Sequence, residues 1–248
     1  MKMQGNTILI TGGGSGIGEA LAHRLHDLGN RVLIAGRRLQ ALKAAAAGRN
    51  QIVPLELDAD DPQAVEAFAR QVIADNPALN VLVNNAGIMR MEALDRRRDL
   101  GNAEATIRTN LLGPIRLTNA FIDHLVNQPD AAIINCTSGL AFVPLVATPT
   151  YSATKAALHS YTVSLREALK GKVEVIELAP PAVQTGLTPG QETREGYMPL
   201  ADFADETLSI LSAQPTPPEI LVKRVGFLRF AESEGRFAET LAALNPKG

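Results

Sequence analysis

The 248-residue chain has a single cysteine, Cys136, which excludes an intrachain disulfide and any metal site built from several thiolates. Its four histidines, His23, His26, His124 and His159, include no HExxH pair, so a zinc hydrolase has no support. His23 and His26, three apart, read as surface or packing residues. A basic excess is also missing: 24 Lys and Arg stand against 26 Asp and Glu, a net charge of −2. That balance argues against a general binder of nucleic acid or of membrane surfaces. No apolar run approaches the ~18 residues of a membrane span, and no basic segment leads into a long apolar stretch near Met1. The cytoplasm is therefore the expected compartment. With no linker, internal repeat or low-complexity tract, residues 1–248 are expected to form one domain.

What is present is an alternation of short apolar runs and longer helical segments. Strands are predicted at Thr7–Ile10, Arg31–Ala35, Ile52–Leu57, Val81–Val83, Ala132–Ile134, Val173–Leu178 and, more briefly, Glu219–Val222. Helices are predicted near Ile17–Leu28, Leu39–Ala47, Pro62–Asp75, Ala103–Val126, Tyr151–Leu169, Leu200–Leu211 and Glu232–Leu244, with Gly29 stopping the first and Pro62 in the opening turn of the third. Apolar strands without polar alternation belong to a parallel sheet covered on both faces. The expected fold is α/β, a Rossmann-like doubly wound parallel sheet with ligands beyond the carboxyl ends of its strands. The segment 182–200, rich in Pro, Gly and Thr, is expected to be a binding loop.

The first strand runs into Thr11-Gly12-Gly13-Gly14-Ser15-Gly16-Ile17-Gly18 and then a helix. In that context the glycines permit a tight turn and bring backbone N–H groups to a pyrophosphate at the positive end of the helix. No Gly-Lys-Ser/Thr ending makes it a P-loop, and Ile17 breaks a GxSxG nucleophile elbow. A carboxylate about 20 residues past the glycines would accept from a free ribose 2′-hydroxyl and repel a 2′-phosphate. Here Gly36-Arg37-Arg38 stands at the end of the second strand. Arginine offers phosphate a bidentate contact, so NADP(H) is favoured over NAD(H), with NAD(H) left open.

Tyr151 and Lys155 open a helix four residues apart and so share one face. A phenol near pKa ~10 is a poor proton shuttle at neutral pH, and a neighbouring ammonium is expected to lower it. Three further polar features are predicted at the same edge of the sheet: Ser138 after the fifth strand, Asn110 in the preceding helix, and Asn84-Asn85-Ala86-Gly87 ending the fourth strand.

Taken together, Thr11-Gly12…Gly16-Ile17-Gly18, Asp58, Asn84-Asn85-Ala86-Gly87, Asn110, Ser138, Tyr151 with Lys155, and Pro180–Thr185 resemble the short-chain dehydrogenase/reductase family, in its single-domain subgroup. The pattern is similar to that of a bacterial branch of these oxidoreductases. The resemblance implies an oxidoreductase moving a hydride between a nicotinamide and a carbonyl or secondary alcohol carbon. Tyr151 would be the general acid in reduction and the base in oxidation. Lys155 would hold the nicotinamide ribose and lower the Tyr151 pKa, Ser138 would polarise the substrate carbonyl, and Asn110 would anchor a water of the proton relay. Gly12, Ser15, Gly16 and Ile17 would take the diphosphate, with Arg37 at the 2′-phosphate. Asp58 would accept from the adenine, Asn85, Ala86 and Gly87 would line the ribose, and Val183 and Thr185 would meet the carboxamide. A homodimer or homotetramer is implied. The family usually carries glycine where this chain has Pro181, which puts the detail of the carboxamide contact in doubt.

Ile88, Met89, Leu140, Phe142, Val143, Leu145 and parts of 186–198 are expected to wall the substrate pocket, with Arg90 the nearest charge. That wall favours an apolar small-molecule substrate. The run Arg96-Arg97-Arg98 reads as a solvated turn. A catalytically idle NADP(H)-binding sensor is the alternative of a different class, though such proteins often lose the tyrosine or the lysine. An epimerase or dehydratase is a further enzyme alternative, disfavoured by only about 70 residues past the sixth strand.

Overall fold

A computed structural model describes residues 1–246. The β-strands are β1 (Thr7–Thr11), β2 (Arg31–Gly36), β3 (Ile52–Glu56), β4 (Leu79–Asn84), β5 (Ala132–Cys136), β6 (Glu174–Leu178) and β7 (Glu219–Ile220). They form one sheet in the order β3-β2-β1-β4-β5-β6-β7, every neighbouring pair parallel. The helices are α1 (Gly16–Asp27), α2 (Leu39–Ala46), α3 (Pro62–Asp75), α4 (Gly101–Ile107), α5 (Gly113–Leu125), α6 (Pro149–Ala168), α7 (Leu200–Leu211), α8 (Gly226–Arg229) and α9 (Phe237–Leu244). None of the described helices is long and apolar enough to cross a membrane.

The two-residue period of the strands divides their side chains between two cores. Ile8, Ile10, Val32, Ile34, Val81 and Val83 pack with Leu21 and Leu25 of α1, Leu42 of α2, and Phe203 and Leu211 of α7. Leu9, Leu33, Leu82 and Ile133 point the other way, to Val65 and Val72 of α3, Leu117, Phe121 and Leu125 of α5, and Leu169 after α6. Both faces being covered explains why the middles of the central strands, Ile8–Ile10, Val81–Val83 and Ala132–Ile134, are apolar without alternation.

Helix ends follow local chemistry. The Asp61 carboxylate accepts from the N–H groups of Gln63 and Ala64 at 2.8 and 3.3 Å, and Pro62 fills the first helical position of α3. Gly29 ends α1 at φ +89°, a conformation a β-carbon resists. Three expectations need correction. The helix predicted over Ala103–Val126 is α4 and α5 joined by a π-turn at Arg108–Leu112, a form periodicity does not distinguish. The last strand pairs over Glu219–Ile220 only, because the chain bends into a 3₁₀ turn at Lys223–Val225. The terminal helix begins at Phe237, since Gly235 at φ +69° breaks the backbone before it.

The loop after β6 is pinched at its base. Val183 and Met198 form a parallel bridge, with Met198 N–H donating to Ala182 and Gln184 N–H to Met198 at 2.9 and 2.8 Å. Both residues of the bridge sink into the core on the α7 side.

Candidate active site

β1 lies between β2 and β4, so the chain's path reverses beyond the carboxyl ends of β1 and β4, where a crevice opens. A cavity of about 440 Å³ occupies this position. Its wall holds the glycine turn, the Arg37-Arg38 corner, Asp58, Asn85–Gly87, Ser138, Tyr151, Lys155 and the start of the loop after β6.

Close packing requires the glycines. A β-carbon on Gly18 would sit 2.4 Å from the Gly12 carbonyl oxygen, and one on Gly12 would sit 2.9 Å from Ala86 Cα. Gly12 and Gly16 also hold φ of +68° and +58°. No acceptor among the described residues takes the N–H groups of Gly14, Ser15, Gly16 or Ile17, at the positive end of α1. These donors fit a dinucleotide diphosphate. Thr11, missed as an individual residue, joins the turn to the fourth strand. Its hydroxyl accepts from Asn85 and Ala86 N–H, both at 3.1 Å, while Asn85 Nδ2 donates to the Thr11 carbonyl at 2.9 Å.

Arg37 and Arg38 both face the cavity. Arg38 Nη2 lies 3.4 Å from Ser15 Oγ, and Arg37 Nη1 lies 3.9 Å from the carboxylate of Asp60. Asp60 is held in turn by the Thr109 hydroxyl at 2.9 Å, and Arg116 donates to its backbone carbonyl at 2.9 Å. Asp58 Oδ1 accepts from Asp60 N–H at 3.0 Å, so the carboxylate stays at the cavity edge.

Tyr151 lies in the first turn of α6, and Lys155 Nζ sits 5.6 Å from its ring centroid. Lys155 donates to the Cys136 carbonyl at 2.7 Å, at the end of β5. The expectation that the ammonium lowers the phenol pKa is not met by the protein alone. Burial pushes Tyr151 well above the ordinary tyrosine value, the neighbouring Cys136 thiol adds to that, and Ser138 offsets only part. Burial also pulls Lys155 below the usual ammonium range, which weakens the charge it offers. Ser138 caps the 3₁₀ turn Gly139–Ala141, its Oγ accepting from Leu140 N–H at 3.1 Å.

Asn110 is fully buried in the π-turn, behind the cavity wall. Its amide accepts from Ile88 N–H and donates to the Ile88 carbonyl, both at 2.8 Å. Gly87 lies between Asn110 and Lys155: a β-carbon there would meet Asn110 Oδ1 at 3.4 Å and Lys155 Nζ at 3.7 Å. Val183 and Thr185 reach the cavity from the loop, and Gln191 Nε2 donates to the Thr185 hydroxyl at 3.1 Å. Pro181 joins the wall, while the Pro180 carbonyl accepts from Gly139 N–H at 2.8 Å.

The expected substrate wall is only partly right. Ile88, Met89, Arg90, Gly186 and Leu187 line the cavity, but Leu140, Phe142, Val143 and Leu145 do not. The 3₁₀ turn after Ser138 carries those four away. Val143 is fully buried, and the Phe142 ring packs edge-on against His159 at 5.0 Å and under the Arg229 guanidinium at 4.7 Å. Nor is the arginine run uniformly solvated. Arg98 Nη2 pairs at 2.9 Å with Glu92, whose side chain is 3% exposed.

The family model for short chain dehydrogenases matches residues 6–196. Over 198 residues, 79% of either chain, the sequence is 45% identical to an uncharacterized oxidoreductase, DltE, of Bacillus subtilis (strain 168). A short chain dehydrogenase from Burkholderia cenocepacia J2315, solved in complex with NADP, superposes with a TM-score of 0.83 at 25% identity, covering 100% of both chains. A short chain dehydrogenase/reductase from Burkholderia phymatum, solved in complex with NAD, shares the fold with a TM-score of 0.83 at 22% identity, covering 96% of both chains. With the family model matched over most of its length, the chain belongs to the short-chain dehydrogenase family.

Proposed function

We propose that this protein is an NADP(H)-dependent carbonyl reductase and alcohol dehydrogenase acting on an uncharged, largely apolar substrate, as a cytoplasmic homodimer or homotetramer. The observation that carries the reading is that one cavity is lined both by the glycine turn and by Tyr151, Ser138 and Lys155. When bound, the nicotinamide would exchange a hydride with the substrate carbon and, in its oxidised form, place a positive charge near the phenol.

In reduction, Ser138 Oγ donates to the carbonyl oxygen and Tyr151 delivers its proton to the same atom. In oxidation, the Tyr151 oxygen takes that proton back. Lys155, steadied by the Cys136 carbonyl, holds the ribose hydroxyls and the Tyr151 side of the site. Asn110 acts first as a clasp that fixes Ile88 against the substrate. The apolar character of Ile88, Met89 and Leu187 supports an uncharged substrate.

The test is NADPH and NADH binding to the purified protein, followed by oxidation of the bound reduced cofactor with uncharged ketones and aldehydes. Turnover with NADPH supports the reading. Tight binding with no turnover across the panel would favour an idle sensor, and strong preference for carboxylate-bearing substrates would overturn the apolar assignment.

Cofactor choice has its own expectation. A charge-assisted hydrogen bond is worth about 1.5–3 kcal/mol, so Arg37→Ala should weaken NADPH by roughly 10- to 100-fold and leave NADH nearly unchanged. Unchanged discrimination would move the 2′-phosphate to Arg38, which has the Ser15 hydroxyl beside it and no carboxylate partner among the described residues.

The raised phenol pKa sets the pH dependence. A group held protonated is always ready to donate, so carbonyl reduction should stay nearly level from neutral to mildly alkaline pH. Alcohol oxidation needs the phenolate and should climb with pH over the same range. Profiles of kcat/KM in both directions check this; a flat oxidation profile would remove Tyr151 as the proton acceptor.

A further inference from the structure

Helix α6 carries Tyr151, yet its own N-terminal residue does not cap it. Thr148 makes no capping bond, and its hydroxyl is buried without a partner among the described residues. The first turn of a helix leaves N–H donors in need of an acceptor. Here the acceptor arrives from the segment after β4, of which Ile88, Met89 and Arg90 line the cavity. Glu92 Oε1 takes the Thr150 N–H at 3.2 Å and Oε2 takes the Thr150 hydroxyl at 2.9 Å. Glu92 N–H donates to the Ala147 carbonyl at 2.9 Å, so the two segments are stitched by backbone as well.

The carboxylate is almost wholly buried and is charge-paired with Arg98, itself 28% exposed. Arg98 Nε is buried and finds no acceptor among the described residues. A buried ion pair that leaves a donor unsatisfied is poor evidence of stabilisation, because desolvation offsets the attraction. Geometry is the better account of it. The segment from Ile88 to Glu92 is fastened at both ends, by Asn110 at Ile88 and by the Glu92 contacts at the other. Met89 and Arg90, between the fastenings, face the cavity.

We propose that Glu92 is a positioning residue, a helix cap supplied from the substrate wall, which sets that wall and the Tyr151 phenol in one fixed relation. This rests on the assignment of Tyr151 above. Glu92 touches neither the cofactor cradle nor the reacting atoms; it acts through Thr150, the residue before Tyr151. Displacements of about 1 Å at a reacting group can cost about 100-fold in rate.

The test compares Glu92→Ala and Glu92→Gln with the wild-type protein by amide hydrogen exchange, NADPH affinity, and steady-state reduction of 4-nitrobenzaldehyde. In Glu92→Ala, segments 88–92 and 147–152 should lose protection together in the cofactor-free protein. NADPH affinity should hold, and kcat should fall about 10- to 100-fold. Glu92→Gln keeps a carbonyl acceptor for the Thr150 N–H and should restore protection and most of kcat. Unchanged exchange in Glu92→Ala, an effect on KM alone, or a Glu92→Gln as impaired as the alanine variant would each overturn the proposal. A wild-type protein inert toward the aldehyde would count against the substrate reading, and the exchange measurements on both variants would then decide the capping role.

Discussion

Replacing Tyr151 with phenylalanine is expected to lower turnover by about 10²–10⁴-fold, the usual worth of a positioned general acid or base, while NADPH binds nearly as before. The ring is buried and keeps its packing in the variant; only the hydroxyl is lost. The glycine turn and the arginine corner, which line the same cavity and are proposed to hold the rest of the cofactor, are untouched. Steady-state kinetics beside a fluorescence titration of NADPH separate the two effects. An equal loss of affinity would mean that the phenol serves chiefly to bind. Because burial already disfavours the phenolate, a residual rate in Tyr151→Phe should not rise with pH as wild-type oxidation does.

The second large effect is expected at Gly18. Its added β-carbon in Gly18→Ala would lie 2.4 Å from the Gly12 carbonyl oxygen and 2.5 Å from Asn85 Nδ2. The first of these is backbone and cannot rotate away. Either α1 withdraws from the turn or the turn opens, and both misplace the N–H groups that face the cavity. Overpacking of this kind costs typically about 1–3 kcal/mol, and more where backbone must shift. NADPH affinity should fall by more than ten-fold and thermal unfolding should move to lower temperature, read by calorimetry with and without cofactor. Wild-type affinity in Gly18→Ala would show that the first turn of α1 does not meet the diphosphate.

Much of this architecture is written locally. Strands such as Ile8–Ile10 and Ala132–Ile134 announce themselves because both their faces are covered, and Gly29 and Asp61–Pro62 mark helix ends by chemistry that depends on neighbouring residues alone. The glycine turn and the Tyr151–Lys155 spacing are legible for the same reason. What escaped prediction depends on contacts between distant segments. Arg98 reads as part of a solvated turn and Glu92 carries no signal of its own until Glu92 folds against Thr150, 58 positions away in the chain. The Asn110 amide is visible as a residue, but its double bond to Ile88 is not. Leu140, Phe142, Val143 and Leu145 follow Ser138 in sequence and were expected beside it in space, yet a 3₁₀ turn reverses their direction. The phenol's environment failed in sign: the spacing displays the lysine but hides the burial that outweighs it.

The pinched base of the loop after β6 has a consequence for how specificity can change. Since Val183 and Met198 meet and are anchored in the core, the residues between them form a cassette whose two ends are already joined. Lengthening or exchanging that cassette leaves the sheet register and α7 where they are, because the bridge absorbs the difference before it reaches them. Diversification for new substrates can therefore be concentrated between the two anchors, in the part of the segment beyond Thr185 and its partner Gln191, where remodelling is separated from the sheet.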